Sequence, residues 1–442
     1  MGLLRFLGGC KGLATAIVVA LVASGAYVAL VHERKVRRFM HSNSLFHKDK
    51  IVDNFRSLDK LDFDYVTLTT ANAVPVAELP LGRDGEMVRL PRSFEWNGTS
   101  FGMEQWLQDH WTTGLVVIKR DSDQKARMIH ERYFRGNDAK DKSVSWSMCK
   151  TIVSSLMGIA VDQGIIGNVE VETITDYVPE LIGSGYENVT IEDVLQMSSG
   201  VAFNEDYFDP FSDINQMGYV VALGWSIDSF VASLKSERLP GQFNHYVSMD
   251  TQALAMVLMR AAGMPLSSFA QKFLWEKVGF ESEAIWLLDN EHDRMELAFG
   301  VLGITARDYA RIGWLYLNKG VSPSTGERVL SESWVERSLT ASKPHLRPGE
   351  KNKLSDYPTF GYGYQIWLCP RDDDPDNTAD DYMAIGVYGQ LIYVSPRDNI
   401  VIAKTAADPF YPDYQHPTTH ENYLETQGFR AMRTIARAFR DR

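Results

Sequence analysis

Ser147-Met148-Cys149-Lys150 sets a hydroxyl and an amine three residues apart, at the point where the polar stretch Asp141–Ser147 gives way to an apolar one. From Thr151 onward Ile152, Val153, Leu156 and Ile159 recur at helical spacing, and Gly164 closes the run. At the start of such a helix, Ser147 and Lys150 share one face, a turn apart. A serine hydroxyl is a poor nucleophile until a neighbour takes its proton. A partly buried lysine can have its pKa lowered far enough to do so. The helix N-terminus also favours negative charge on the attacking oxygen and on the oxyanion that follows. The pair therefore reads as nucleophile and activator. The spacing alone is weak evidence, because Ser57-Leu58-Asp59-Lys60 repeats it inside a polar segment. A capping serine beside a snorkelling lysine is its commoner meaning.

The elements that must position this pair are legible in outline. Thr112–Asp121 and Lys125–Phe134 are two β-rich runs around a polar turn, a hairpin signal. Helical and loop signals dominate from Thr151 to about Leu317. Ala384–Ala406 then gives two more strands around Pro396-Arg397-Asp398-Asn399, and Gly428–Arg442 forms a last amphipathic helix. Strands at both ends thus bracket a helical middle, which implies a sheet built from both termini with a helical insertion.

Three further segments follow Ser147 in order: "VTIEDVLQMSSGV" (Val189–Val201), "LPGQFNHYVSMDTQALAMVL" (Leu239–Leu258) and "AIGVYGQLIYVSP" (Ala384–Pro396). With them the chain resembles the serine β-lactamase and penicillin-binding-protein superfamily, in which S-x-x-K carries the nucleophile. It is most similar to the branch holding 6-aminohexanoate-dimer hydrolases and family VIII-type carboxylesterases. The resemblance covers roughly Phe94 to Arg442. It implies Ser147 as nucleophile, Lys150 as its lysine, and Tyr246 as the tyrosine that relays the proton to the leaving group, as phenolate or through Lys150. Ser248 falls at the third position of the tyrosine motif, where relatives usually carry Asn. The backbone N–H groups of Ser147 and Val387 are the implied oxyanion hole. Penicillin-recognising members carry Lys-Thr-Gly on the edge strand; here Ala384-Ile385-Gly386 stands in its place. Without that lysine the site suits amides or esters lacking a carboxylate. Tyr388 and Gln390 on the same turn are candidates for substrate contact or for packing.

The loop "FNEDYFDPFSD" (Phe203–Asp213) adds Glu205, Asp206 and Asp209 as a candidate subsite for a cationic substrate group, against a plain solvated loop. His245 reads as structural. His416 and His420 are four apart, but Pro417 between them argues against a helical metal pair, and no other histidine spacing suggests a metal. No metal and no cofactor is expected. The net charge of −12 argues against a nucleic-acid partner. Three cysteines, Cys10, Cys149 and Cys369, imply no disulfide framework.

Leu13–Val31 is 19 residues without a charge, about enough to cross a bilayer. It reads as an uncleaved anchor or as a signal peptide cut near Ala23-Ser24-Gly25. The apolar run continues past that site, which favours the anchor. The expected organisation is a membrane anchor or signal segment over 1–40, a polar arm over 41–93, and a β-lactamase-related serine hydrolase domain over 94–442. That domain is α+β, an antiparallel sheet flanked by N- and C-terminal helices, with an all-helical insertion over about 151–320. A single-pass anchor would leave the catalytic domain exported, periplasmic or otherwise extracytoplasmic. The expected activity is cleavage of a small amide or ester through an acyl-enzyme. The rivals are a D-Ala-D-Ala peptidase or weak β-lactamase, and a catalytically silent anchored scaffold. Intact Ser147, Lys150 and Tyr246 count against the scaffold.

Overall fold

The computed structural model describes residues 33–81, 87–121, 125–207, 209–349, 360–411 and 423–440. The apolar run Leu13–Val31 and the pair His416 and His420 lie outside them. Among the described residues no single helix is long and apolar enough to cross a membrane.

Leu115, Val116, Val117 and Ile118 are each fully buried, so this strand must be covered on both faces. It belongs to a seven-stranded antiparallel sheet. Its order is Ala126–Tyr133, Thr112–Arg120, Ile400–Ala406, Gln390–Ser395, Thr378–Gly386, Trp367–Pro370 and Gly361–Tyr362. The expected hairpin and C-terminal strands are its first four members. Alternation along each strand separates the two faces. Leu391, Tyr393, Ile400 and Ile402 pack with Phe429, Met432 and Ile435 of the C-terminal helix Tyr423–Phe439. Ile392, Val394 and Val401 turn to the other face, against Gly313 of the helix Ala306–Leu317.

A second sheet corrects the expected all-helical insertion. It orders Asp64–Leu68, Ala284–Leu288, Leu302–Thr305 and Lys142–Val144, all antiparallel. Two of these strands lie inside 151–320. "AIWLL" is buried throughout, and a short apolar run has no period that separates strand from helix. The first strand of this sheet comes from the segment expected to be a polar arm, which is therefore part of the fold. The helix Ile51–Arg56 buries Ile51 and Phe55. Arg38, in the helix Glu33–Ser44, is only 4% exposed and donates to the carbonyls of Val221 and Asp289.

The helix Cys149–Asp162 runs through the middle of this core, buried from Cys149 to Ala160. It packs on another buried helix, Ser248–Ala262.

Candidate active site

Ser147 sits in a single 3₁₀ turn, Trp146–Met148, that leads into the helix Cys149–Asp162. Trp146 holds a left-handed φ of 42° there, costly for a bulky residue and sustained only by its surroundings. Phe55 meets the indole edge-on at 5.4 Å, and Tyr388 lies 5.7 Å away. Ser145 donates its hydroxyl to Gly300 O at 2.6 Å, pinning the turn from below. The turn leaves Ser147 half-buried at a cleft mouth while Lys150, one helical turn on, is 2% exposed.

Lys150 Nζ donates to Ser147 Oγ at 3.0 Å, to Ser248 Oγ at 3.3 Å and to Phe299 O at 2.6 Å. Burial brings its pKa down to about 8, against the opposing pull of Glu205, Cys149 and Asp250. A tenth or so of such lysines are neutral at pH 7, enough to accept a proton from the serine.

Tyr246 is buried, stacked on Trp367 at 5.5 Å, with its ring 5.2 Å from Lys150 Nζ. Burial pushes the phenol well above its ordinary range; a hydrogen bond with the Ser147 side chain only partly offsets this. The free site therefore holds a neutral phenol. Ser248 opens the helix Ser248–Ala262. Its backbone N–H donates to Glu205 Oε2 at 3.1 Å and its hydroxyl to Glu205 Oε1 at 2.5 Å. Glu205 thus caps this helix from a distant loop, where the N-terminal dipole favours an anion. Burial nevertheless raises its pKa, with Lys150 and Ser248 pulling the other way.

The strand Thr378–Gly386 ends against the turn that carries Ser147. A Cβ on Gly386 would stand 2.4 Å from Ser145 O, so only glycine allows this approach. The next residue, Val387, walls both cavities that open at Ser147. One cavity is small, about 90 Å³, and holds Glu205, Tyr246, Trp367 and Ile385. The other is about 500 Å³ and predominantly apolar. Among the described residues neither wall carries a lysine, arginine or histidine.

The structure brings Ser147, Lys150, Tyr246, Ser248, Glu205, Val387 and Tyr388 together. It does not bring Asp206, Asp209 or Gln390 to either cavity wall. Asp209 accepts from Phe211 N at 2.9 Å, folding its own loop. The Asn215 side chain clips that loop through the carbonyls of Tyr207 and Asp209. Gln390 is fully buried and exchanges hydrogen bonds with the Ala406 backbone, so it is a strut of the sheet. Tyr388 stacks on Phe46 at 4.9 Å. Sequence reasoning missed Phe46 and Phe55, because nothing in a polar segment marks two phenylalanines as part of a site. Burial raises the Cys149 thiol to about 12, and Cys369 is likewise buried, so both are small core residues. Ser57 lies outside the walls of both cavities. Among the described residues no cluster of three or more His, Cys, Asp or Glu could hold a metal ion.

Residues 105–421 match the family model described as Beta-lactamase. The 6-aminohexanoate-dimer hydrolase of Paenarthrobacter ureafaciens is 29% identical over 323 residues, 71% of this chain and 77% of that protein. A Bacillus anthracis protein assigned provisionally as a 6-aminohexanoate-dimer hydrolase superposes with a TM-score of 0.71 at 18% identity, covering 90% of this chain and 96% of its own. A penicillin-binding protein from Bacillus halodurans superposes with a TM-score of 0.53 at 16% identity, covering 72% and 99%.

Proposed function

This chain belongs to the beta-lactamase family of serine hydrolases, and from that premise we propose that it cleaves an amide or ester through an acyl-enzyme formed on Ser147. The observation that carries the reading is the 3.0 Å contact between Ser147 Oγ and a lysine whose pKa lies near 8. Neutral Lys150 takes the hydroxyl proton as Oγ bonds to the acyl carbon. The N–H groups of Ser147 and Val387 hold the oxyanion. Collapse breaks the bond to the leaving amine or alcohol. Tyr246 donates the proton that this group takes away and recovers one from Lys150. A phenol held neutral by burial suits donating that proton better than acting as a phenolate base. Water then cleaves the acyl-serine by the reverse relay, releasing the acid and restoring the hydroxyl.

Among the described residues the walls beside Ser147 offer a substrate carboxylate no lysine, arginine or histidine, which favours substrates without one over the peptidase or β-lactamase reading. The relative's name points to amides of 6-aminohexanoate as one class to assay. The reading also keeps the chain tethered through Leu13–Val31, with the catalytic domain exported.

The test is labelling with a fluorophosphonate probe and mapping the modified residue. Modification of Ser147, and loss of both labelling and ester turnover in Ser147→Ala, is the expected result. Undiminished turnover in Ser147→Ala would end the assignment.

A further inference from the structure

We infer that the acyl half of the substrate is a fatty acyl chain, carried as an ester or amide, and that it lies in the larger cavity beside Ser147. This rests on the acyl-enzyme reading above and goes beyond it in naming which half of the substrate lies where. A general acid must stand beside the atom it protonates. Tyr246 lines only the smaller cavity, of about 90 Å³, so the leaving group departs there and is small. The acyl half is left with the larger one, of about 500 Å³, within the range of cavities that enclose a whole ligand.

The wall of that cavity determines what fits. Phe39, Phe55, Phe63, Met217 and Val301 line it, and among its described residues there is no charged side chain. The amide of Asn215 is already spent on the loop carbonyls of Tyr207 and Asp209. An ammonium or carboxylate drawn inside would lose its hydration with no counter-charge to replace it. An alkyl chain loses nothing and is freed from water. The entrance is apolar as well. Phe39, Phe46 and Tyr219 line the cavity and remain 40%, 42% and 49% exposed. Exposed aromatics around a cleft mouth mark a surface that meets apolar matter.

The test is a series of nitrophenyl esters from acetyl to dodecanoyl, each held below its critical micelle concentration, with the full chain. Every methylene that enters the cavity should raise kcat/KM about fourfold, through at least the octanoyl ester. A flat or falling series beyond butanoyl, with Ser147-dependent turnover of the acetyl ester intact, overturns the inference and leaves the acyl-enzyme reading standing. Absence of turnover for every ester and amide, with Ser147 unlabelled by fluorophosphonate, overturns both. As a second readout, Met217→Trp should cut the ratio of octanoyl to acetyl kcat/KM at least tenfold. A folded variant with an unchanged ratio places the chain elsewhere. Should Met217→Trp not fold, the wild-type series decides alone.

Discussion

Glu205 reaches Lys150 through a single hydroxyl. Ser248 Oγ donates to the Glu205 carboxylate at 2.5 Å and accepts from Lys150 Nζ at 3.3 Å. The lysine is thus held by two opposed influences. Burial drives its proton off, and the carboxylate one hydroxyl away keeps it on. On the proposed mechanism Glu205 is a positioning residue, setting the charge of the base from one step back.

The first prediction concerns pH. The activator must be neutral, so kcat/KM should rise with pH to a plateau with a midpoint near 8, the lowered lysine value. Glu205→Gln keeps an acceptor for Ser248 but removes the charge that raises Lys150. The midpoint should therefore move to lower pH. A purely structural Glu205 would lower the rate at every pH and leave the midpoint in place. The same shift has a stability consequence. The folded lysine binds its proton less well than the unfolded one, at about 8 against 10.5. Stability should therefore gain a contribution from this group as pH rises between those values, measurable by denaturant unfolding across that window.

The second concerns Gly386. An added methyl would sit 2.4 Å from Ser145 O, a backbone atom with no room to yield, so the strand end must lift. Val387, whose N–H the proposed oxyanion hole uses, would be displaced with it. Loss of one oxyanion donor costs about 10²–10³ in kcat, and overpacking costs about 1–3 kcal/mol of stability. Gly386→Ala should show both losses, with KM changing much less than kcat. Wild-type kcat in this variant would remove Val387 from the oxyanion hole.

These predictions differ in how far the sequence foresaw them. Ser147 and Lys150 are three apart, and a helix start makes such neighbours meet. Tyr246 and Gly386 were found through the order of the motifs, since no periodicity joins them to Ser147. Glu205 was legible as a loop carboxylate but not as the cap of the helix Ser248–Ala262, because only the folded chain brings loop and helix together. Asp206 and Asp209 looked equivalent to it in sequence; backbone turns spend Asp209 on its own loop. Phe46 and Phe55 sit among polar residues and become wall and brace only in the folded chain, where both rings meet Trp146, at 5.6 Å and 5.4 Å. The hairpin of Thr112–Arg120 and Ala126–Tyr133 was plain for the opposite reason, its pairing being local.

Penicillins should acylate this protein slowly. Their carboxylate needs a cation near the serine, and among the described residues the walls of both cavities offer no lysine, arginine or histidine. A lost charge-assisted hydrogen bond is worth about 1.5–3 kcal/mol, roughly 10- to 100-fold in the acylation rate constant. Stopped-time labelling with a fluorescent penicillin measures that constant. Rapid stoichiometric labelling at low concentration would restore the peptidase reading.

The last prediction separates the membrane segment from the fold. Removing residues 1–32 takes away the apolar run Leu13–Val31 and stops short of the helix Glu33–Ser44. Removing residues 1–40 also takes Arg38, which is 4% exposed. Its guanidinium donates to the carbonyls of Val221 and Asp289, pairs with Asp64 at 3.3 Å and lies 4.9 Å over the Phe63 ring. Stripping Arg38 takes a charged partner from Asp64 and a charged donor from two carbonyls, which costs stability. Phe39, a wall of the larger cavity, would go with it. Both shortened proteins should be released from membranes by a carbonate wash. The protein beginning at residue 41 should melt several degrees below the one beginning at residue 33. It should also lose more of its turnover of long acyl esters than of short ones. Equal melting temperatures would return the segment before residue 41 to a simple tether. Retention of the longer protein on membranes would reveal a second attachment, and the exposed aromatics at the cavity mouth are the first place to look.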